Sequence, residues 1–257
     1  MPHRFDPPWT PQASLNQTLE RTGYALLEPA TVRRWAGTPA EDLRALNGYW
    51  QDLPPDPHLR DGGRYRRRRH GSCIIDGGAI EFVGHRAHWQ PLSYNALHGG
   101  MERWFEPLDP GMVDQSAWRR LLLALARQAS TLHGDRPWYV EAHPFRIDTT
   151  DGIGRPTPEG AHRDGVDLVA IFVLDRYAIK GAETRIFDAS GPRGLRFTLP
   201  GDWSVLILDD HRVIHESTPI QPLVPDELGW RDTLVVTLRR GGFQDRPEEK
   251  TVGDSSK

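Results

Sequence analysis

The chain has 257 residues and a mass of 29.1 kDa, with 37% hydrophobic and 26% charged residues, which is globular composition and allows one or two domains. Its 32 basic residues nearly balance 35 acidic ones for a net charge of −3, which argues against the net basic face that nucleic-acid binding needs. No stretch of about 18 apolar residues suggests a membrane span, and the single cysteine, Cys73, excludes an intrachain disulfide and a cysteine-based zinc site.

The opening, Met1 to Thr10, carries three prolines and no apolar run, so no signal peptide and a cytoplasmic location are expected. A short helix is expected over Ser14–Arg21 and a strand over Tyr24–Glu28. A second helix is expected over Glu41–Gln51, where Leu43, Leu46 and Trp50 recur at helical spacing. Pro54–Pro57 breaks it. Two extended segments follow, Arg64–Ile75 and Ala79–His85. The clearest helix is Gln115–Leu132, with Trp118, Leu121, Leu122, Leu125 and Ala126 in one stripe and Gly134 just past its end.

From Pro137 the pattern changes. Short Val-, Ile-, Leu-, Phe- and Thr-rich segments alternate with Gly, Pro and Asp turns: 138–147, 166–174, 184–187, 195–199, 203–208, 213–216 and 233–238. Many short strands at regular spacing suggest an all-β core. The chain is therefore expected to be a single domain, 1–243. A helical and strand N-terminal part, 1–136, flanks a jelly-roll core lying mainly in 137–240. The polar stretch from Gln244 to Lys257 is expected to be a disordered tail.

Eleven histidines are present, and most need no special role. The sharp feature is His162-Arg163-Asp164, just before the expected strand 166–174. Residues i and i+2 of an extended chain point the same way, so an imidazole and a carboxylate can meet at one point. Fifty-one residues after Asp164 comes His215, with His211 four residues before it; strand parity alone does not separate the two. Two histidines and one carboxylate form the facial set that holds non-haem Fe(II) with positions open for other ligands. Arg231, with Thr233 two residues on and on the same face, can grip a carboxylate through its planar fork. Arg239 and Arg240 close the same segment.

At this point the sequence resembles the iron(II)- and 2-oxoglutarate-dependent dioxygenases. The ordered stretches are Tyr94–Gly100, Val140–Arg146, Pro158–Gly165, Gly181–Thr184, Asp209–His215, Thr218–Ile220 and Trp230–Asp232. More narrowly it is similar to the bacterial branch of the L-isoleucine 4-hydroxylase type, which acts on free L-amino acids. The resemblance implies a mainly β fold with flanking helices and a double-stranded β-helix, cupin-like core. It implies Fe(II) on His162, Asp164 and His215, with His215 preferred over His211. It also implies 2-oxoglutarate on Arg231 and Thr233, O2 as the oxidant, and side-chain hydroxylation with release of succinate and CO2. The carboxylate at Asp164 fits hydroxylation; related halogenases carry a small residue there. The segment Gly181–Thr184 departs from the family in lacking a second glycine.

A zwitterionic substrate needs a cation for its carboxylate and an acceptor for its ammonium group. His143, Arg146, Glu159 and Asp167 are the expected substrate-binding residues, with Glu141 a further acceptor. The run Arg66–Arg69 has no interleaved aromatics for base stacking; it reads as a solvated face or as arginines alternating in and out along a strand, one or two of them facing the pocket. Other readings are the same chemistry on a carrier-bound or peptidyl amino acid, and a non-catalytic cupin-type metal or small-molecule binder.

Overall fold

In the computed structural model, which describes residues 6–247, local sequence sets most of the elements. Helix α1 (Leu15–Thr22) stops at Gly23, whose φ of 79° suits glycine. Strand β1 (Tyr24–Leu27) leads into α2 (Pro29–Ala36), which the apolar spacing did not reveal; proline at its first turn and Gly37 at its end mark it instead. The helix expected over 41–51 divides into α3 (Ala40–Ala45) and a 3-10 turn over Leu46–Trp50, since Gly48 weakens a helix interior. The extended segment over 64–75 divides at Arg69-His70 into β2 (Arg66–Arg68) and β3 (Gly71–Asp76), followed by β4 (Ala79–Phe82). A one-turn helix, α4 (Pro110–Val113), precedes α5 (Ser116–His133).

The remaining strands are β5 (Trp138–Asp148), β6 (Leu168–Tyr177), β7 (Ile179–Gly181), β8 (Thr184–Asp188), β9 (Gly194–Phe197), β10 (Ser204–Asp209), β11 (Val213–Ser217), β12 (Ile220–Pro222) and β13 (Trp230–Arg239). One large antiparallel sheet runs β1-β10-β6-β13-β5-β3-β4, with β2 also paired to β5. A three-stranded sheet, β11-β8-β9, and the β12-β7 pair form the opposite layer. This is the jelly-roll core with helices on its outside. The large sheet also draws β1 to β4 from before residue 137.

Strand alternation divides the large sheet into two working faces. Trp138, Val140 and Ala142 of β5, Leu168, Ala170 and Phe172 of β6, and Leu234, Val236 and Leu238 of β13 pack against the helices in one core. Trp118, Leu121, Leu122 and Leu125 of α5 complete that core. Burying such side chains contributes about 1.5–3 kcal/mol each. Trp50 Nε1 donates to the Thr233 carbonyl at 3.1 Å, which ties the N-terminal helices to β13. On the other face, Val169, Val173, Leu206 and Leu208 meet Ile186, Phe197 and Val213 in a second core. The rest of that face lines the pocket.

Two backbone points bear on the sequence. Gly181 has φ 86°, and a Cβ there would lie 2.1 Å from the Pro219 carbonyl oxygen, so the β7–β12 crossing requires glycine. One residue on, Ala182 is buried with φ 52°, a conformation that favours glycine. Alanine thus carries the turn where the family's second glycine is missing. The tail boundary expected at Gln244 needs correction: Gln244 is buried and donates to the carbonyls of Asp164 and Gly165 at 3.0 and 2.7 Å. The part of the expected tail from 248 onward lies outside the described residues. No helix among the described residues is long and apolar enough to cross a membrane.

Candidate metal centre and active site

His162, Asp164 and His215 come together at the mouth of the jelly roll, each presenting a ligand atom within 4.8 Å of the others. His162 lies in the segment before β6 and His215 at the centre of β11. Reciprocal backbone hydrogen bonds of 3.0 Å join these two residues. Their Nε2 atoms lie 3.9 and 3.7 Å from the two oxygens of Asp164. His162 Nδ1 donates to the Gly160 carbonyl at 2.9 Å, which leaves the Nε2 lone pair facing Asp164. A hydrogen bond on the distal nitrogen is the usual way a metal-binding imidazole is held in its tautomer.

The turn that aims Asp164 is built by Asp210, a residue not singled out in the sequence. Its carboxylate accepts from the backbone N–H groups of Asp164, Gly165 and Val166 at 3.0, 2.7 and 3.1 Å. Gly165 has φ 77°, and a Cβ on it would meet the Tyr94 ring at 2.4 Å. Burial raises the Asp164 carboxyl to about 6, with His162 opposing and Asp210 and Glu159 adding. Burial lowers the His162 imidazole, but Asp164 and Glu159 outweigh it and raise its affinity for a proton. Three carboxylates around two histidines make a centre that favours a cation. With two imidazoles and a carboxylate converging and the His162 tautomer fixed by Gly160, the residues fit Fe(II).

His211 is half-exposed and binds Asp167 at 3.1 Å. It takes no part in the cluster, so the parity ambiguity falls to His215. Arg231 and Thr233 are both buried and both line the pocket. Burial, with Arg176 nearby, pushes the Arg231 guanidinium down to about 9, and its Nε is buried without a partner. Arg239 donates to the carbonyls of Gly242 and Phe243, and Arg240 pairs with Asp167. Neither lines the pocket.

The four expected substrate residues separate. His143 and Glu159 line the pocket. Arg146 and Asp167 do not, and both expectations are corrected. Residues 143 and 146 differ by an odd number, so the strand places them on opposite faces. Arg146 turns outward and grips Asp232 of the paired strand at 2.8 and 2.6 Å. Asp167 is held by Arg240 and His211. Parity also sorts the neighbouring strand positions, among them Glu141, the further acceptor expected. Glu141, Phe145 and Ile147 share the face of His143, and Arg66 and Arg68 of β2 face inward while Arg67 points out. Gln90, His88, Asn95, His98 and Arg103 come from the irregular segment 83–109, where no periodicity exists to read. The Tyr94–Gly100 stretch does carry a turn signal: the Asn95 side chain accepts from the His98 N–H at 2.7 Å.

A jelly roll with a His-x-Asp…His cluster at its mouth and a buried arginine deeper in defines an iron- and 2-oxoglutarate-dependent oxygenase. The sequence signature described as 2OG-Fe dioxygenase matches residues 47–237, and the chain belongs to that family. The family uses Fe(II), 2-oxoglutarate and O2, and this protein is a dioxygenase enzyme. Among solved structures the chain is similar to a bsmA homologue from Methylobium petroleophilum PM1, at 51% identity over 95% of this chain and 99% of that one, with a TM-score of 0.89. It shares its fold with IDO from Bacillus thuringiensis, at 15% identity over 91% of this chain and 99% of that one, TM-score 0.73. The same holds for the Fe(II)/α-ketoglutarate-dependent dioxygenase TqaL, at 20% identity over 92% of each chain, TM-score 0.70. No curated protein matches the chain.

Proposed function

We propose that this enzyme hydroxylates the side chain of a free L-amino acid. In this reading Fe(II) is held by His162, Asp164 and His215, and the far carboxylate of 2-oxoglutarate by Arg231 beside Thr233. The amino-acid substrate is carried by one observation: the pocket contains buried charged atoms of both signs that lack hydrogen-bond partners, among them Glu159 Oε2, Arg66 Nη2, Arg68 Nε and Arg103 Nε. Buried charges without partners are costly, and a zwitterion supplies both kinds.

The chain's own residues then act by position. Arg231 offers a planar fork from the floor of the pocket, and the Thr233 side chain sits on the same face, two residues along β13. Val166, Ile171 and Val235 supply apolar lining to the same pocket. Glu159, whose other oxygen lies 3.5 Å from His162 Nε2, is placed to accept from an ammonium group near the metal centre. When bound, iron with 2-oxoglutarate would activate O2 to hydroxylate an unactivated C–H bond, one oxygen atom entering the product and the other entering succinate as CO2 is lost. Which carbon reacts follows from how the pocket holds the substrate.

The test is a screen of the twenty amino acids plus ornithine, citrulline and pipecolate for substrate-dependent succinate formation. The best substrate is then compared with its methyl ester and N-acetyl derivative. Loss of most turnover in both derivatives is expected. Comparable turnover of a blocked derivative, or turnover only of a carrier-bound aminoacyl thioester, would overturn the reading.

A further inference from the structure

Beside the carboxylate-rich metal centre, and joined to it by Gln90, which donates to Asp164 and accepts from Arg103, the pocket has a second wall of different character. Arg68 is buried, and its guanidinium is clamped between Phe105 and Phe145, 3.8 and 4.3 Å from their ring centroids. Both faces of the guanidinium plane are therefore covered, and only its edge is available for hydrogen bonds. One edge donor goes to His143 Nδ1 at 2.6 Å, and Nε has no partner. Arg103 is also buried. It donates to Gln90 Oε1 at 2.8 Å, and its Nε is unpartnered. His88, also buried, turns its Nδ1 toward Glu141 Oε2 at 3.4 Å.

Apart from Glu159, which acts on Arg103 without bonding it, the nearby acids are already engaged. Asp56 neutralises Arg66 at 2.7 Å. Glu141 is held by His70 at 3.0 Å and Arg86 at 2.9 Å. Among the described residues neither Arg68 nor Arg103 forms an ion pair, although Arg66, on the same wall, is neutralised. Burial first, then the repulsion of Arg66 and Arg103, pushes Arg68 well below its ordinary range despite Asp56. A buried guanidinium with no counter-charge is destabilising unless a ligand provides one.

The same wall contains His70, His88, Glu141 and His143, whose donor atoms lie within 4.8 Å of one another, a spacing a divalent cation could use. The surroundings oppose that. Arg68 donates to His143, Arg86 is bound to Glu141, and Arg103 adds a third positive charge near His88. A dication there would face three guanidinium groups with one carboxylate between them.

We infer that Arg68 and Arg103 form an anion subsite that takes a carboxylate group of the primary substrate, distinct from the 2-oxoglutarate site at Arg231. This deepens the proposed function and rests on the pocket being the substrate site, but it does not require the substrate to carry an amine. Two edge-on arginines fixed by stacking and by Gln90 suit a planar carboxylate, which accepts two parallel bonds.

The experiment uses the full chain loaded with Mn(II) and saturated with 2-oxoglutarate, so the metal and Arg231 are occupied. Acetate is titrated against chloride at matched ionic strength and melting temperature is followed. The wild type is expected to show a saturable rise. Arg68→Met and Arg103→Met should lose the saturable rise, or need about tenfold more acetate, the factor lost with one charge-assisted hydrogen bond. Without acetate both variants should melt at or above wild type, since each removes an uncompensated buried charge. Should one variant fail to fold, Arg68→Lys retains the charge without the planar edge and is expected to bind acetate at least several-fold more weakly. A wild-type protein with no saturable rise, or variants that keep it unchanged, would overturn the inference. A separate arm compares the best substrate from the screen with its carboxamide. Wild type should prefer the carboxylate, and Arg103→Met should lose most of that preference. An intact acetate response with turnover of an amine-free acid would reject the amino-acid reading and retain the anion subsite.

Discussion

Two sides of the pocket, bridged by Gln90 between Asp164 and Arg103, carry opposite charge and are built by opposite means. At the metal centre Asp164, Glu159 and Asp210 surround His162 and His215, and the backbone turn at Gly165 is fixed by three hydrogen bonds to one carboxylate. At the inner wall Arg66, Arg68 and Arg103 converge with His88 and His143, and rigidity comes from stacked rings and paired side chains. Both ends contain a four- or three-residue set with metal-ligand spacing. Proximity of donors therefore does not define a metal site; the charge around them does. The anionic end favours a cation, and the cationic end an anion.

The largest expected effect breaks the metal end. His162→Ala, Asp164→Ala and His215→Ala should each abolish Fe(II)-dependent succinate formation while circular dichroism and melting stay cooperative. His211→Ala should keep most activity, because its ring faces Asp167 away from the cluster. An inactive His211→Ala with an active His215→Ala would reverse the ligand assignment.

Next comes Arg231, which lines the pocket where Arg239 at the end of β13 and Arg240 just past it do not. Arg231→Ala should raise the KM for 2-oxoglutarate by a factor of ten to over a hundred, corresponding to about 1.5–3 kcal/mol per charge-assisted bond. Lysine should rescue only partly, since an ammonium lacks the fork. Arg239→Ala and Arg240→Ala should change that KM little. A larger effect from either would move the cosubstrate grip to the far end of the strand.

A smaller effect, read in stability, sharpens the inner wall. Burial, with Arg103 and His70, pushes His88 down to about 3 from its ordinary 6.5, against the pull of Glu141. His70 and His143 shift in the same direction, mainly by burial. The unfolded chain therefore binds protons that the folded one refuses, and stability should fall as pH drops from about 6.5 toward 3. Glu141 is held below its usual 4.5 by His88 and His70 despite burial; its contribution is present above that pH and is lost on the acid side too. Melting temperature should thus decline between pH 7 and pH 5, and His88→Gln should flatten the decline. A His88→Gln profile that parallels wild type would show that this ring does not carry the acid sensitivity.

The smallest effect on catalysis belongs to the outward face. Arg146→Ala removes a bidentate partner from Asp232 and should cost on the order of 1–3 kcal/mol of stability. The KM values for 2-oxoglutarate and substrate should stay within about twofold in purified protein. A substrate KM that rises sharply would mean that Arg146 reaches the pocket after all.

How much of this was legible in the sequence follows from where periodicity existed. Helix α5 and strands β5, β6, β10 and β13 announce themselves through apolar spacing, and the expected boundaries lie within a few residues of the observed ones. The ligand segment was readable because His162 and Asp164 are two apart and the ordered stretches around them resemble a known family. Placing Arg146 in the pocket with His143 goes against the alternation along β5, and the same alternation in β2, expected without a choice of which arginines face in, puts Arg66 and Arg68 inward and Arg67 outward. The segment 83–109 could not be read, because its backbone is mostly irregular and its side chains are positioned by contacts distant in sequence, such as Gln90 donating to Asp164 at 3.3 Å. Gln244 was missed for the opposite reason: a polar sequence near the end of a chain looks like a tail until its side chain is seen capping the turn at Asp164.

Metal stoichiometry tests the contrast between the two ends most directly. Metal-free protein is titrated with Co(II) by calorimetry and followed by its visible absorption. The account predicts one equivalent bound, lost in Asp164→Ala and retained with similar affinity in His88→Gln. Two equivalents in the wild type, or one that persists in Asp164→Ala and disappears in His88→Gln, would contradict it.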